Sequence, residues 1–213
     1  MHFQDDDALK NKAWLEALAG GAAGFGLAAA LALAAAFALS GGASGQALAG
    51  AASPALESAR FECEAGARQS VLTGRALGAC DLLLRDSAVA GEDRARVLTN
   101  RAVMLLARGQ ANDARLDLEE AVTLSPELAE AWLNLSAAQI GSGAARQALD
   151  TAGRAAELGA NPALARFNQA IALETLGRYE DAYTAYTDAA AQAPDNATLA
   201  AQPARFIWHQ PGA

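Results

Sequence analysis

Residues 95–128 read ARVLTNRAVMLLARGQANDARLDLEEAVTLSPEL, 129–162 read AEAWLNLSAAQIGSGAARQALDTAGRAAELGANP, and 163–196 read ALARFNQAIALETLGRYEDAYTAYTDAAAQAPDN. These three blocks of 34 align without a gap. Asn100, Asn134 and Asn168 share one column, and Ala102, Ser136 and Ala170 the column two residues on. Gly109, Gly143 and Gly177 fall together, as do Ala114, Ala148 and Ala182, then Ala121, Ala155 and Ala189. A fixed period of this length signals a stack of identical supersecondary units.

Each column has a physical reason. Antiparallel helices cross closely only over small side chains, so Ala or Ser recurs at the crossing points. A Gly between the two helices of each block supplies a positive φ where the chain reverses. Ser125-Pro126 and Asn161-Pro162 place a capping oxygen before a proline and predict helix starts. Leu105, Leu116, Leu118, Trp132, Leu135, Leu149, Leu173 and Tyr186 recur at helical spacing and are expected in the core.

Over 95–196 the chain resembles the tetratricopeptide repeat (TPR) family on the period and these small-residue columns. The column where the family places Trp reads Leu98, Trp132 and Arg166. The large aromatic of the second helix is present only as Tyr186, with Leu118 and Ala152 in the other repeats. The resemblance implies an all-α solenoid of stacked helix pairs wound into a right-handed superhelix. It also implies a ligand-facing concave surface on the first helices. The family's ligand positions fall on Thr99, Asn100 and Val103, on Leu133, Asn134 and Ala137, and on Phe167, Asn168 and Ile171. No Lys or Arg stands there, so a carboxylate clamp is not expected. The surface implied is an apolar trough with a row of amides, suited to a protein or peptide partner. The alternative is a trough filled by the protein's own flanks, including Phe206 to Trp208.

Shifting the frame back by one period gives 61–94, where the pattern degrades. Cys80 falls in the Ala114 column, Leu84 in the Leu118 column, and Thr73-Gly74 could form the turn. Residues 57–94 therefore read as a degenerate capping helix pair, since terminal repeats are usually atypical. After 196 a last helix is expected to start near Ala197 and to be interrupted at Pro203, with Phe206, Ile207 and Trp208 folding back on the final repeat. Residues 197–213 are thus a capping helix and tail.

The N-terminal quarter is of another kind. Residues 17–40, ALAGGAAGFGLAAALALAAAFALS, carry no charge. As a helix they would span about 36 Å, enough to cross a bilayer. Lys10 and Lys12, the only lysines, lie before the segment in a flank of residues 1–16, and the next charge after it is Glu57. The positive-inside rule keeps that flank in the cytoplasm and sends the remainder across, an exported, periplasmic topology. The segment either stays as a single-pass anchor or is a signal peptide cut near Ala47-Leu48-Ala49. Gly20 and Gly24 have the GxxxG spacing that lets two membrane helices approach. Residues 41–56 read as a flexible linker.

Both cysteines, Cys63 and Cys80, follow this segment, and in an oxidising compartment a pair flanking one helical hairpin is a natural disulfide. The other reading is two buried, unbridged thiols. With the turn at Thr73-Gly74 the two are out of step by roughly 6 Å along the helices, and a turn placed earlier removes the mismatch. Secreted bacterial TPR proteins carrying a cysteine pair before their repeats show a looser resemblance to this arrangement.

Catalytic chemistry finds few parts here. The two histidines, His2 and His209, lie at opposite ends of the chain, so neither a His-based triad nor a His-rich metal site is expected. No phosphate loop or CxxC occurs, and no cofactor is implied. Glu119-Glu120 and Glu180-Asp181 have Arg nearby and read as solvated faces. A net charge of −8, with fifteen acidic residues against ten Arg over 92–213, excludes a generally basic nucleic-acid surface. The sequence thus predicts a non-enzymatic scaffold or assembly factor of the bacterial cell envelope, with no small-molecule substrate. The alternative is a permanent structural subunit of a membrane complex, held by its transmembrane helix.

Overall fold

Apolar residues at three- and four-residue spacing, punctuated by Gly, Pro and Asn, fold into helices along the chain. The computed structural model describes residues 53–69 and 74–205. Among them are nine helices and no strand: α1 (Pro54–Gln69), α2 (Gly74–Arg85), α3 (Gly91–Ala107), α4 (Ala111–Leu124), α5 (Ala129–Gly141), α6 (Ala145–Glu157), α7 (Pro162–Thr175), α8 (Tyr179–Gln192) and α9 (Ala197–Ala201). The second helices α4, α6 and α8 begin at equivalent positions of the repeat, so the period becomes a spatial register. The segment at 17–40, its cleavage site and Phe206 to Trp208 lie outside the described residues. Within those residues no helix is long and apolar enough to cross a membrane.

The three pairs α3–α4, α5–α6 and α7–α8 close in the same way. Gly109, Gly143 and Gly177 have φ of 73°, 81° and 73°. The residue after each glycine donates its N–H five residues back: Gln110 to Leu105 O, Ala144 to Gln139 O, Arg178 to Leu173 O, at 2.9, 2.7 and 2.9 Å. This is the left-handed helix stop that satisfies otherwise orphaned carbonyls. Ala114, Ala148, Ala182, Ala121, Ala155 and Ala189 are fully buried, as are Ala102, Ser136 and Ala170. The small columns are therefore the lines along which the helices cross.

Three expectations are corrected. Ser125-Pro126 does not start a helix. Ser125 ends α4, its N–H bonding Ala121 O at 2.9 Å, and Pro126 and Glu127 form a turn before α5. Asn161 does cap α7, accepting Leu164 N–H at 3.1 Å with Pro162 in the first turn. Leu116 is 59% exposed, because it points away from the face of α4 that carries Ala114, Leu118 and Ala121. In the degenerate pair, Leu84 of the Leu118 column is half-buried against the core of the first repeat, and the buried face of α2 is Ala76, Ala79, Cys80 and Leu83. Finally, α1 begins at Pro54, inside the stretch read as linker, and α3 begins at Gly91, ahead of the repeat boundary.

The N-terminal pair packs on α3 through a small-residue core of Ala59, Cys63, Ala76, Ala79, Cys80, Leu83 and Met104. Cys63 and Cys80 are bridged, with Cα atoms 5.0 Å apart, within the range a disulfide spans. The connection lies between Gln69 and Gly74, earlier than Thr73-Gly74, which brings the two cysteines level. A side chain on Gly66 would run into Ala76 and come within 2.8 Å of Met104 Sδ, so glycine permits this close approach. At the other end Asn196 caps α9, accepting from Thr198 and Leu199 N–H at 3.1 and 3.2 Å, and Leu199 enters the core of α7 and α8. The helix stops at Ala201, but Gln202 ahead of Pro203 keeps helical angles (φ −65°, ψ −44°), and Pro203 to Arg205 follow as a 3-10 turn closed by Arg205 N–H on Gln202 O at 3.1 Å.

Candidate functional site

First helices touch one another along the stack: α1 meets α3, α3 meets α5, and α5 meets α7. Together they form a continuous face that the second helices leave uncovered. Residues on this face are those turned away from the helix's own partner. Asn100 is two residues from each of the buried Leu98 and Ala102, hence across the helix from them.

The nine sequence-predicted groove positions divide into two groups. Asn100, Val103, Leu133, Asn134 and Ile171 are half-buried, with part of each side chain open to solvent. Among the described residues no hydrogen bond holds the side chain of Asn100 or Asn134, so both amides are available. Thr99, Ala137, Phe167 and Asn168 are buried. Thr99 Oγ1 donates to Ala95 O at 2.8 Å within its own helix. Phe167 packs edge-on against Tyr186, ring centroids 5.7 Å apart.

Asn168 has a task of its own. Its Nδ2 donates to Leu133 O at 3.2 Å and to Ser136 Oγ at 2.7 Å, while the Ser136 hydroxyl donates to Leu133 O at 2.7 Å. The amide thus ties α7 to α5. Asn134 has no equivalent latch because the residue in the Ser136 column one repeat earlier is Ala102, which has no hydroxyl. Sequence inspection placed Ser136 among the small residues, and its hydroxyl in an alanine column was the signal for this latch. Asn168→Ala should therefore lower stability by about 1–2 kcal/mol, since the Leu133 carbonyl and Ser136 hydroxyl lose a buried donor. A urea titration checks this, and an unchanged midpoint would contradict the latch.

Phe61, assigned to no site by the sequence, is 69% exposed on α1, opposite the buried Ala59, Cys63 and Gly66. Charges near this face are largely paired. Arg96 bonds Glu92 at 2.6 Å, and Arg60 forms a two-pronged pair with Asp93 that raises its pKa against the cost of burial. Arg166 bonds Asp188 at 2.7 Å. Glu119 pairs with Arg115, Glu120 with Arg94 and Asp181 with Arg178, which leaves the acidic doublets engaged along solvated helices. Among the described residues no cluster of His, Cys, Asp and Glu could hold a metal.

No family model and no curated protein sequence matches the chain. Solved structures do. An Arabidopsis OM64 TPR domain superposes with a TM-score of 0.52 at 23% identity, covering 56% of this chain and 98% of that one. A MamA RS-1 double mutant gives 0.61 at 14% identity over 75% and 86% of the two chains. MamA AMB-1 gives 0.56 at 16% identity over 71% and 86%. Repeated helix pairs, the glycine stops, the alanine crossings and these superpositions agree: the chain has the tetratricopeptide repeat fold.

Proposed function

We propose that this protein is a non-enzymatic interaction scaffold of the cell envelope that binds a protein or peptide partner across α3, α5 and α7. The observation that carries this reading is the pair of available amides, Asn100 and Asn134, set among Val103, Leu133 and Ile171. Such amides donate to and accept from an extended backbone, while the apolar positions take its side chains. In mild detergent, a stoichiometric complex that never dissociates would favour a permanent membrane subunit instead.

The test compares Asn134→Ala with Glu180→Ala, an exposed residue on α8. A photo-crosslinker at Leu133 in intact cells identifies the partner, and its affinity is then measured with purified protein. Losing one side of a desolvated hydrogen bond costs about 1–3 kcal/mol, or roughly five- to hundred-fold in affinity. Asn134→Ala should show that loss with an unchanged melting temperature, and Glu180→Ala should show neither. Full affinity in Asn134→Ala would reject this face as the binding site.

Export is the second part of the proposal. It is supported by Lys10 and Lys12 ahead of residues 17–40 and by a disulfide suited to an oxidising compartment. A reporter enzyme active only after export, fused after Ala213, should be active. Activity of a cytoplasm-only reporter at the same point would overturn the topology.

A further inference from the structure

Three departures from the repeat pattern fall together on the middle helix pair. In the column that holds the buried Leu118 on α4 and Tyr186 on α8, α6 has Ala152. In the column that holds Leu105 on α3 and Leu173 on α7, both packed in apolar cores, α5 has Gln139. Gln139 is 7% exposed, and among the described residues nothing donates to its Oε1. A buried acceptor without a donor weakens the packing around it. The third departure is Gly153, inside α6, where α4 and α8 carry Glu119 and Thr187. A methyl on Gly153 would meet only Gln169 Nε2, at 3.6 Å, an ordinary contact. Packing does not require the glycine, and within a helix it costs stability.

The core divides at the same place. One apolar cluster runs from Ala95 on α3 to Ala138 on α5, and another from Ala163 on α7 to Leu199 on α9. No buried side chain of α6 joins either. Its buried residues are four alanines and Thr151, and only the half-buried Leu149 reaches the second cluster. Alanine removes little apolar area from water, so α6 is held less firmly than α4 or α8. On the first-helix side the same junction is fastened, because Asn168 of α7 bonds Ser136 and the Leu133 carbonyl of α5.

We propose that α6 is a yielding joint, at which the α7–α8 pair rocks against the α3–α5 block with the Asn168 latch as its pivot. A solenoid can move in this way because each pair touches only its neighbours, and a few residues at a junction absorb the change. Rocking alters the angle between α5 and α7, and so sets how far Ile171 stands from Asn134 across the face of the first helices. The proposal stands whether or not that face binds a partner.

The experiment is double electron–electron resonance on the full-length protein in detergent, with its native disulfide intact. Spin labels at Leu116→Cys on α4 and Thr184→Cys on α8, both exposed, report across the joint. The control pair, Leu82→Cys with Leu116→Cys, lies on one side of it. The distance distribution across the joint should be the broader of the two. Gln139→Leu with Gly153→Ala should narrow it and leave the control unchanged, whereas Asn168→Ala should broaden it further. In hydrogen exchange, Gly153→Ala alone should slow the amides of α6 roughly fivefold and leave those of α4 as they were. Equal widths for the two label pairs would overturn the joint, as would a width across it that neither the paired change nor Asn168→Ala alters. Slowing shared equally by α4 would show that α6 opens only with the whole stack, and overturns it as well.

Discussion

Replacing both cysteines, Cys63→Ala with Cys80→Ala, is expected to destabilise the α1–α2 pair by about 3 kcal/mol, the chain-entropy value for a loop of this size. The bridge matters here because the core it joins is built of small side chains. In its core with α3 three alanines and the two cysteines stand beside Leu83, Val89, Val97 and Met104, with Leu56, Leu77 and Leu84 half-buried at the edge. The ion pairs Glu62–Arg75 and Arg60–Asp93 that flank it are exposed or half-exposed, and such pairs contribute little each. In a stack where each pair touches only its neighbours, the loss should stay local. Hydrogen exchange should show amides of α1 and α2 losing protection while those of α5 to α8 keep theirs. Unchanged protection in α1 and α2 would mean that packing alone secures the pair.

Asp117→Ala is the second change with a large expected cost, roughly 2–3 kcal/mol. Arg101 of α3 grips Asp117 of α4 with two bonds, Nε to Oδ2 at 2.8 Å and Nη2 to Oδ1 at 2.6 Å. Its third contact crosses to α2, Nη1 to Asp81 Oδ1 at 2.7 Å. The Asp117 side chain is 9% exposed and that of Arg101 26%, so truncating the carboxylate removes two of the three bonds of a largely buried guanidinium that cannot shed its charge and leaves it only Asp81. The hydrogen bond to Asp117, against the pull of desolvation, raises the Arg101 pKa further. Asp81 faces solvent on the same guanidinium, and Asp81→Ala should cost under about 1 kcal/mol. Urea midpoints at constant slope separate the two. Equal losses from both variants would show that burial of Asp117 adds nothing.

Much of the candidate site could be read from the repeat columns, because a ligand-facing position in a solenoid is a fixed offset within the period. Asn100, Val103, Leu133, Asn134 and Ile171 stand at such offsets and are half-buried. The buried four, Thr99, Ala137, Phe167 and Asn168, share those offsets, but depth depends on the neighbouring pair. Phe167 sinks because Tyr186 offers a ring edge. Asn168 is drawn in because Ser136, one repeat earlier, offers a hydroxyl at 2.7 Å. An offset cannot tell a latch from a contact point, since the difference lies in a residue 32 positions away.

What the sequence determined by itself is what short-range chemistry decides. Helices follow from apolar spacing, the reversals from Gly109, Gly143 and Gly177, and the crossings from alanines too small to hold two helices apart. Each of these acts within one repeat, so 34 residues contain the whole cause. The tertiary structure alone decided the rest. It showed that Ser125 ends a helix rather than starting one, that Leu116 faces solvent, and that the α1–α2 connection lies early enough for Cys63 to meet Cys80. It also placed Arg101 between two carboxylates on separate helices. Those outcomes depend on which neighbour sits against each side chain, and distance along the chain does not carry that information.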